Sequence, residues 1–86
     1  MVYIDIPFVP ENNRIAKERT IKELTALEIS ESAKYEAFEA IYNLRPRGVS
    51  FADDDLSQAV LLERALAKLG VPYIQTEESK YLKYEK

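Results

Sequence analysis

The chain has no cysteine and no histidine, and only one methionine and two glycines. Without thiols it can form no disulfide. Because small secreted domains often depend on disulfides, we expect a reducing, cytoplasmic setting. Without imidazole or thiolate groups it lacks the commonest general base, a strong nucleophile and the ligands of an ordinary zinc site. We therefore expect a protein that is not an enzyme and that uses no cofactor and no metal.

Long apolar runs and an excess of positive charge are also absent. No apolar run approaches the ~20 residues that span a bilayer, and the first residues lack the basic and then apolar pattern of a signal peptide. The net charge is −3 and the isoelectric point is near 5.0, whereas binding to a nucleic-acid backbone needs clustered lysine and arginine. We therefore expect no membrane contact, and the charge argues against a nucleic-acid partner.

What is present is typical of one small globular domain. The 86 residues are 47% hydrophobic and 31% charged, a balance at which a chain folds rather than staying disordered. A chain of this length buries only about 60% of its unfolded surface, so its core should be thin. We expect a single domain over residues 1–76 and a polar segment containing tyrosine and lysine over residues 77–86.

The first half of the chain predicts a strand followed by two helices. Residues 2–9 alternate between apolar and polar side chains, which is the period of a half-buried strand. Residues 14–27 and 34–44 have the spacing of amphipathic helices, and Ser30 or Ser32 can cap the second helix. The residues expected to face the core from these two helices are Ile15, Ile21, Leu24, Leu27, Tyr35, Phe38, Ile41 and Tyr42.

The second half predicts a turn, a strand, a helix and a closing strand. The turn covers residues 45–48, the strands cover 49–51 and 71–76, and Gly70 ends the helix between them. One of the aspartates at 53–55 should cap this helix, and Asp55 with Gln58 has the spacing of a capping box. The helix residues expected to be buried are Leu56, Ala59, Val60, Leu62, Leu66 and Leu69.

These elements occur in the order β-α-α-β-α-β. An α/β chain this short suggests three helices packed on one face of a small three-stranded sheet, which is an α+β arrangement.

Two acidic groups are candidates for chemistry, and each has a simpler interpretation. The run at residues 53–55 lacks the alternating ligands, the glycine and the final glutamate of a calcium loop, so helix capping is the preferred interpretation. An acid–base pair needs two carboxylates in unequal environments in a cleft. We expect solvent-facing positions on the helices for the glutamates concerned, which are Glu28, Glu31, Glu36 and Glu39.

Two other segments are candidates for contact with a partner. Arg45 and Arg47, in an open turn, suit an anion or an acidic partner, although the simpler interpretation is a turn with two exposed arginines. Tyr81 and Tyr84 alternate with lysines near the C-terminal end, where they can form an interface, stack on single-stranded bases or simply cover the core.

A resemblance to a known family comes from residues 21–25, 27–39, 48–50 and 62–70. These segments resemble the C-terminal domain of bacterial ribosomal protein L7/L12, a fold similar to that of the ClpS adaptor. The resemblance implies a helical face that recruits a partner protein through lysines, and Lys22 and Lys34 stand at the matching positions. The family's glycine- and leucine-containing stretch is replaced here by residues 26–30.

The function that these patterns favour is a small protein-binding module, such as an adaptor, an inhibitor or a viral accessory protein. It would act through a helical face or through its tyrosine-containing end. Two alternatives remain open, a self-assembling protein that pairs through an exposed strand edge and a single-stranded nucleic-acid binder. The residues expected to contact a partner are Lys22, Lys34, Arg45, Arg47, Tyr81 and Tyr84.

Overall fold

A computed structural model of the chain describes residues 1–7, 17–42, 45–79 and 81. Within these ranges the elements follow the predicted order, and a short 3₁₀ turn at Asp53–Asp55 directly precedes the third helix. The predicted fold class is confirmed. The elements are β1 (Val2–Ile6), α1 (Lys17–Thr25), α2 (Glu31–Tyr42), β2 (Arg47–Phe51), α3 (Leu56–Leu69) and β3 (Ile74–Thr76).

The sheet has the strand order β2-β1-β3, and both pairings are antiparallel. Ile4 of the central strand lies opposite Val49 on β2 and Gln75 on β3. Because side chains alternate between the two faces of a strand, Ile4 and Val49 point to the same face, where both are fully buried. The helices cover this face, which we call the inner face.

The hydrophobic core lies between the inner face and the three helices. Small alanines on the buried side of α2 allow its backbone to approach the sheet closely. The core members, in chain order, are Ile4, Ile6, Leu24, Ile29, Ala33, Ala37, Ala40, Ile41, Val49, Phe51, Ala59, Leu62, Leu66, Leu69 and Val71.

Several element boundaries differ from the predicted ones. The second helix begins at Glu31 and not at residue 34, because the Ser30 hydroxyl accepts a hydrogen bond from the Ala33 N–H at 3.3 Å and caps the helix there. The prediction of a turn was wrong for Arg47 and Gly48, since both belong to β2 and pair with β1. The closing strand is shorter than predicted. The parts of the predicted elements at residues 8–9, 14–16 and 43–44 lie outside the described residues.

The two ends of α3 differ in how well the sequence predicted them. Asp55 occupies the N-cap position, but its side chain makes no capping hydrogen bond, so the predicted capping box is wrong. Gln58 instead accepts a hydrogen bond from the Ser30 N–H at 3.2 Å, which ties α3 to the start of α2. Gly70 ends the helix as predicted, with φ of 75° and its N–H donating to the Ala67 carbonyl. A left-handed conformation of this kind strongly favours glycine.

The outer face of the sheet is crossed by the residues that follow β3. The Ser79 hydroxyl donates a hydrogen bond of 2.6 Å to Asp5 on the central strand, and the Tyr81 N–H donates to the Ser79 hydroxyl at 3.2 Å. Asp5 is buried. We call Glu77–Ser79 together with Tyr81 the C-terminal crossing. None of the described helices is long and apolar enough to cross a bilayer.

Candidate docking groove between the first two helices

Helices α1 and α2 form an antiparallel pair whose seam is closed at both ends. At one end, the Lys17 ammonium lies 5.3 Å from the centroid of the Tyr42 ring, which stacks on Phe38 at 5.5 Å between centroids. At the other end, Lys34 Nζ donates to the Thr25 carbonyl at 3.3 Å. A cation beside an aromatic face and a cation at a helix C-terminus are both favourable. The two helices are therefore held in a fixed relative position.

Between these ends the surface has a shallow, open depression. The concavity has a volume of about 340 Å³, and we call it the α1–α2 groove. Its middle is aliphatic and aromatic, whereas its end near the start of α2 carries one acidic and one basic side chain. The residues that line it are Ile21, Leu24, Thr25, Glu31, Lys34, Tyr35 and Phe38.

Two residues of the groove are exposed although the sequence predicted them to be buried. Ile21 is 44% exposed and Tyr35 is 61% exposed, so this prediction was wrong for both. The apolar stripe of a helix is wider than the strip that a three-stranded sheet can cover, and residues at its margin stay in contact with water. Such exposed apolar and aromatic side chains, when they share one concave surface, are typical of a binding site.

The hydroxyl of Tyr35 is bonded to a carboxylate that is not among the lining residues. It donates a hydrogen bond of 2.8 Å to Glu39 Oε1. This bond and the negative charge of Glu39 raise the pKa of the Tyr35 phenol, while the charges of Arg47 and Arg45 act in the opposite direction. Glu39 is only 8% exposed, so the prediction that it faces solvent was wrong.

The two predicted arginines lie near the end of α2 and at the start of β2. Their charges both act on the Tyr35 phenol, Arg45 is exposed, and its backbone N–H donates to the Glu39 carbonyl at 3.2 Å. Arg47 is half-buried because it begins β2. Neither arginine is among the residues that line the groove.

The predicted lysines have different positions. Lys34 is a wall of the groove, since its ammonium lies 3.3 Å from the Thr25 carbonyl and 3.5 Å from Glu31 Oε1, and its side chain is 19% exposed. Lys22 is exposed on α1 and is not among the lining residues.

The tyrosine-containing end is separate from the groove. Tyr81 is half-buried and bonded to Ser79 on the outer face of the sheet, whereas the helices cover the inner face. Among the predicted partner contacts, Lys34 lies in the groove wall and Tyr81 does not. Tyr84 lies outside the described residues.

The acidic candidates do not converge on a centre for chemistry. Asp53 pairs with the N-terminal ammonium at 3.0 Å, Glu31 pairs with Lys34, and Glu39 accepts the Tyr35 hydroxyl. In residues 1–7, 17–42, 45–79 and 81, no three acidic side chains are grouped closely enough to hold a metal ion.

A second exposed apolar pair lies on α3. Leu56 is 44% exposed and Val60 is 43% exposed, although the sequence predicted both to be buried. They are four residues apart, so they share one face of the helix.

Sequence reasoning missed that Ile21 and Tyr35 belong to a surface and that Thr25, Glu31 and Phe38 join them. The signal available in the sequence was the width of the apolar stripes on the first two helices, which is greater than a small sheet can cover.

Comparison with protein-family models, with curated proteins and with solved structures finds no match to this chain. The resemblance to the ribosomal stalk domain therefore stays a prediction.

Proposed function

We propose that this chain is a non-enzymatic protein-binding module that docks a segment of another polypeptide in the α1–α2 groove. The observation that carries the proposal is the joint exposure of Ile21 and Tyr35 in one concave surface. The core beneath them is complete without their side chains. Because these two side chains are not part of that core, contact with a partner is the role that fits this apolar surface.

The size of the groove suits a small number of anchoring side chains. About 340 Å³ is near the lower end of the ~300–1,000 Å³ range of ligand pockets. Covering the exposed part of a side chain such as Ile21 contributes about 1 kcal/mol. Tyrosine is enriched among residues that dominate binding energies. A groove between two helices most readily accepts an amphipathic helix, whose anchors recur every three or four residues.

The groove is organised before a partner arrives. The Lys34–Thr25 hydrogen bond and the contact of the Lys17 ammonium with the Tyr42 ring hold the walls together. A preformed surface loses less conformational entropy on binding than one that must be ordered. We place this binding in the cytoplasm, because the chain has no cysteine.

A photo-crosslinking experiment tests the proposal. A variant with the photoreactive residue p-benzoylphenylalanine in place of Tyr35 is expressed in the source cells. The matched control carries the same residue in place of Ile74, because Ile74 is 57% exposed but lies on β3, away from the first two helices. We expect illumination to give a discrete adduct from position 35 that mass spectrometry identifies as a protein. Adding Ile21→Glu should abolish this adduct, because the substitution places a charge in the apolar groove.

Two results would contradict the proposal. One is the absence of any adduct from position 35. The other is the same set of adducts from positions 35 and 74, since that pattern indicates random encounters. Circular dichroism of each variant establishes that the fold is retained.

A further inference from the structure

The third strand, β3, forms one edge of the sheet and is paired on one side only. Its residues lie opposite β1, in the register that places Gln75 beside Ile4. On the other side, its backbone N–H and C=O groups have no hydrogen-bond partner among the residues that the structure describes. We call this side of Ile74–Thr76 the β3 edge. An unpaired strand edge is a template for pairing with another strand.

The β3 edge has few of the features that block such pairing. Proteins protect edge strands with lysine, proline or a bulge, or by keeping the strand short. Within Ile74–Thr76 there is no lysine and no proline, and the register with β1 is continuous. Ile74 is 57% exposed and Gln75 is also exposed. Only the short length of the strand remains as protection, and it weakens pairing without preventing it.

The helices pack chiefly over the other two strands. Helices α2 and α3 contact β1 and β2, and α1 packs on these two helices. Gln75 is therefore exposed, although it lies opposite Ile4 and so belongs to the inner face. The described helices thus leave this margin of the sheet uncovered.

Two copies of the β3 edge can pair in a register that uses every residue of the strand. A two-fold axis perpendicular to the sheet makes the two strands antiparallel and keeps both inner faces on the same side. Residues directly opposite each other then share a face. With the axis at Gln75, Ile74 lies opposite Thr76 of the second copy, and the two Gln75 residues face each other. Pairs of β-branched side chains suit such positions.

The neighbouring registers are less favourable. Because opposite residues must share a face, the axis can move only to Ile74 or to Thr76. An axis at Ile74 would place Thr76 opposite Pro72, which has no N–H to donate. An axis at Thr76 would place the apolar Ile74 opposite the charged Glu78. The sequence around β3 therefore favours the axis at Gln75.

The short length of the edge selects an occupant that is ordered before it binds. Three residues offer few backbone hydrogen bonds, and the net contribution of each is small. A flexible peptide would lose conformational entropy at every residue that becomes ordered. In a second copy, β3 is already held by β1, so it loses much less.

We propose that the β3 edge pairs with the β3 edge of a second copy of this chain, about a two-fold axis at Gln75, and joins two three-stranded sheets into one of six strands. The contact uses the same surface on both copies, so it closes at a dimer. Two strands of three residues form a small interface, in the class of transient complexes. The dimer should therefore appear at protein concentrations of about 0.1–1 mM.

Pairing at the β3 edge leaves the α1–α2 groove open. Helix α2 packs chiefly on β2, which lies at the opposite edge of the sheet from β3. The dimer therefore presents two grooves. If the proposed function holds, a partner with two docking segments binds the dimer more tightly than it binds one copy. The pairing itself does not depend on the proposed function.

Single cysteines test the register, because the chain has none of its own. The two residues at position 75 are directly opposite in the proposed dimer, with Cα atoms about 4.5–5.5 Å apart, a distance that a disulfide spans. The two residues at position 74 are diagonal neighbours, about 7–8 Å apart, which is too far. In a glutathione redox buffer, Gln75→Cys should form a linked dimer at least about tenfold faster than Ile74→Cys. An equimolar mixture of Ile74→Cys and Thr76→Cys should give the mixed disulfide.

Sedimentation equilibrium tests the pairing without a covalent link. The unsubstituted protein should reach twice 9.9 kDa. Ile74→Lys should weaken the association at least about tenfold, because lysine on an edge strand opposes pairing. Ile21→Lys is the matched control, since Ile21 is 44% exposed but lies on α1, and it should leave the association unchanged. Circular dichroism establishes that both variants keep the fold.

The outcomes separate this inference from the proposed function. A protein that stays monomeric up to about 1 mM would overturn the pairing of β3 edges. Equal rates of disulfide formation at positions 74 and 75 would also overturn it, since they indicate random collisions. Neither result affects the adduct expected from position 35. Conversely, the absence of that adduct would overturn the proposed function and leave the dimer in place.

Discussion

Tyr35 has two different environments at the two ends of its side chain. The ring lines the α1–α2 groove, whereas the hydroxyl donates to Glu39 on the same helix. The hydrogen bond keeps the ring in one orientation, so the groove wall does not have to be ordered when a partner binds. The same bond makes the titration of Tyr35 a direct report on the geometry beside the groove.

The pKa of Tyr35 is predicted to fall when the charge of Glu39 is removed. In the folded protein it lies above the usual value, chiefly because of the bond to Glu39 and its charge. A raised pKa means that the stabilising contribution of the protonated phenol is present below the usual tyrosine pKa and is lost as the pH rises through the raised value. In Glu39→Gln the negative charge is gone, whereas Arg45 and Arg47 still favour the phenolate.

Nuclear magnetic resonance of the Tyr35 ring carbons across alkaline pH measures this change, with Tyr35→Phe used to assign the signal. An unchanged pKa in Glu39→Gln would contradict the hydrogen bond that the structure places there.

At the scale of elements, the C-terminal crossing and β2 depend on each other through Gly48. A Cβ at this position would overlap the Ser79 hydroxyl and would lie 2.8 Å from both Ser79 Cβ and Asp5 Oδ1. Glycine is thus required here because another segment approaches the strand closely, and not because of a turn. The crossing covers the outer face of the sheet with a hydrogen bond to the buried Asp5.

Gly48→Ala is therefore predicted to displace the crossing and to lower the free energy of unfolding by about 1–3 kcal/mol, the usual range for overpacking. Urea denaturation measures the effect. Ser50→Ala is the control on the same strand, because Ser50 is exposed and its replacement should change stability by less than about 0.5 kcal/mol.

A double variant shows whether the crossing is the cause. Once Ser79→Ala has removed the hydroxyl, adding Gly48→Ala should lower stability by less than it does in the unsubstituted protein. Strictly additive effects would mean that Gly48 and Ser79 do not interact.

At the scale of the whole molecule, one thin core holds the three described helices against the sheet. Helix α2, which forms one wall of the α1–α2 groove, and helix α3 share this core, to which they contribute Ile41 and Leu66. Small domains have total stabilities of about 5–15 kcal/mol. Removing one large side chain from the core therefore destabilises the groove together with the rest of the fold.

Leu66→Ala is predicted to lower the free energy of unfolding by about 2–5 kcal/mol, because Leu66 is fully buried and a cavity would remain. Leu56→Ala is the matched control on the same helix. Leu56 is 44% exposed, and its replacement should lower the free energy of unfolding by less than about 1 kcal/mol. Thermal unfolding followed by circular dichroism measures the stability of both variants. An equal loss of stability in the two variants would contradict the placement of α3.

The order and type of the elements could be predicted from the sequence because they depend on local patterns. The alternation in β1, the 3.6-residue spacing in the helices and Gly70 each describe a backbone preference that does not need the rest of the fold. The N-terminal end of α3 was predicted wrongly, since Gln58 satisfies a backbone N–H of another segment and not the predicted capping box. A hydrogen bond between distant residues leaves no local pattern in the sequence.

The sequence by itself determined the fold class and the absence of thiol and imidazole chemistry, since composition and periodicity are properties of the chain alone. The tertiary structure decided which apolar side chains remain outside the core. Ile21, Tyr35, Leu56 and Val60 have the same pattern as buried residues, and only the small area of a three-stranded sheet leaves them in water. Burial depends on what another element can cover, and that is known only once the elements are packed.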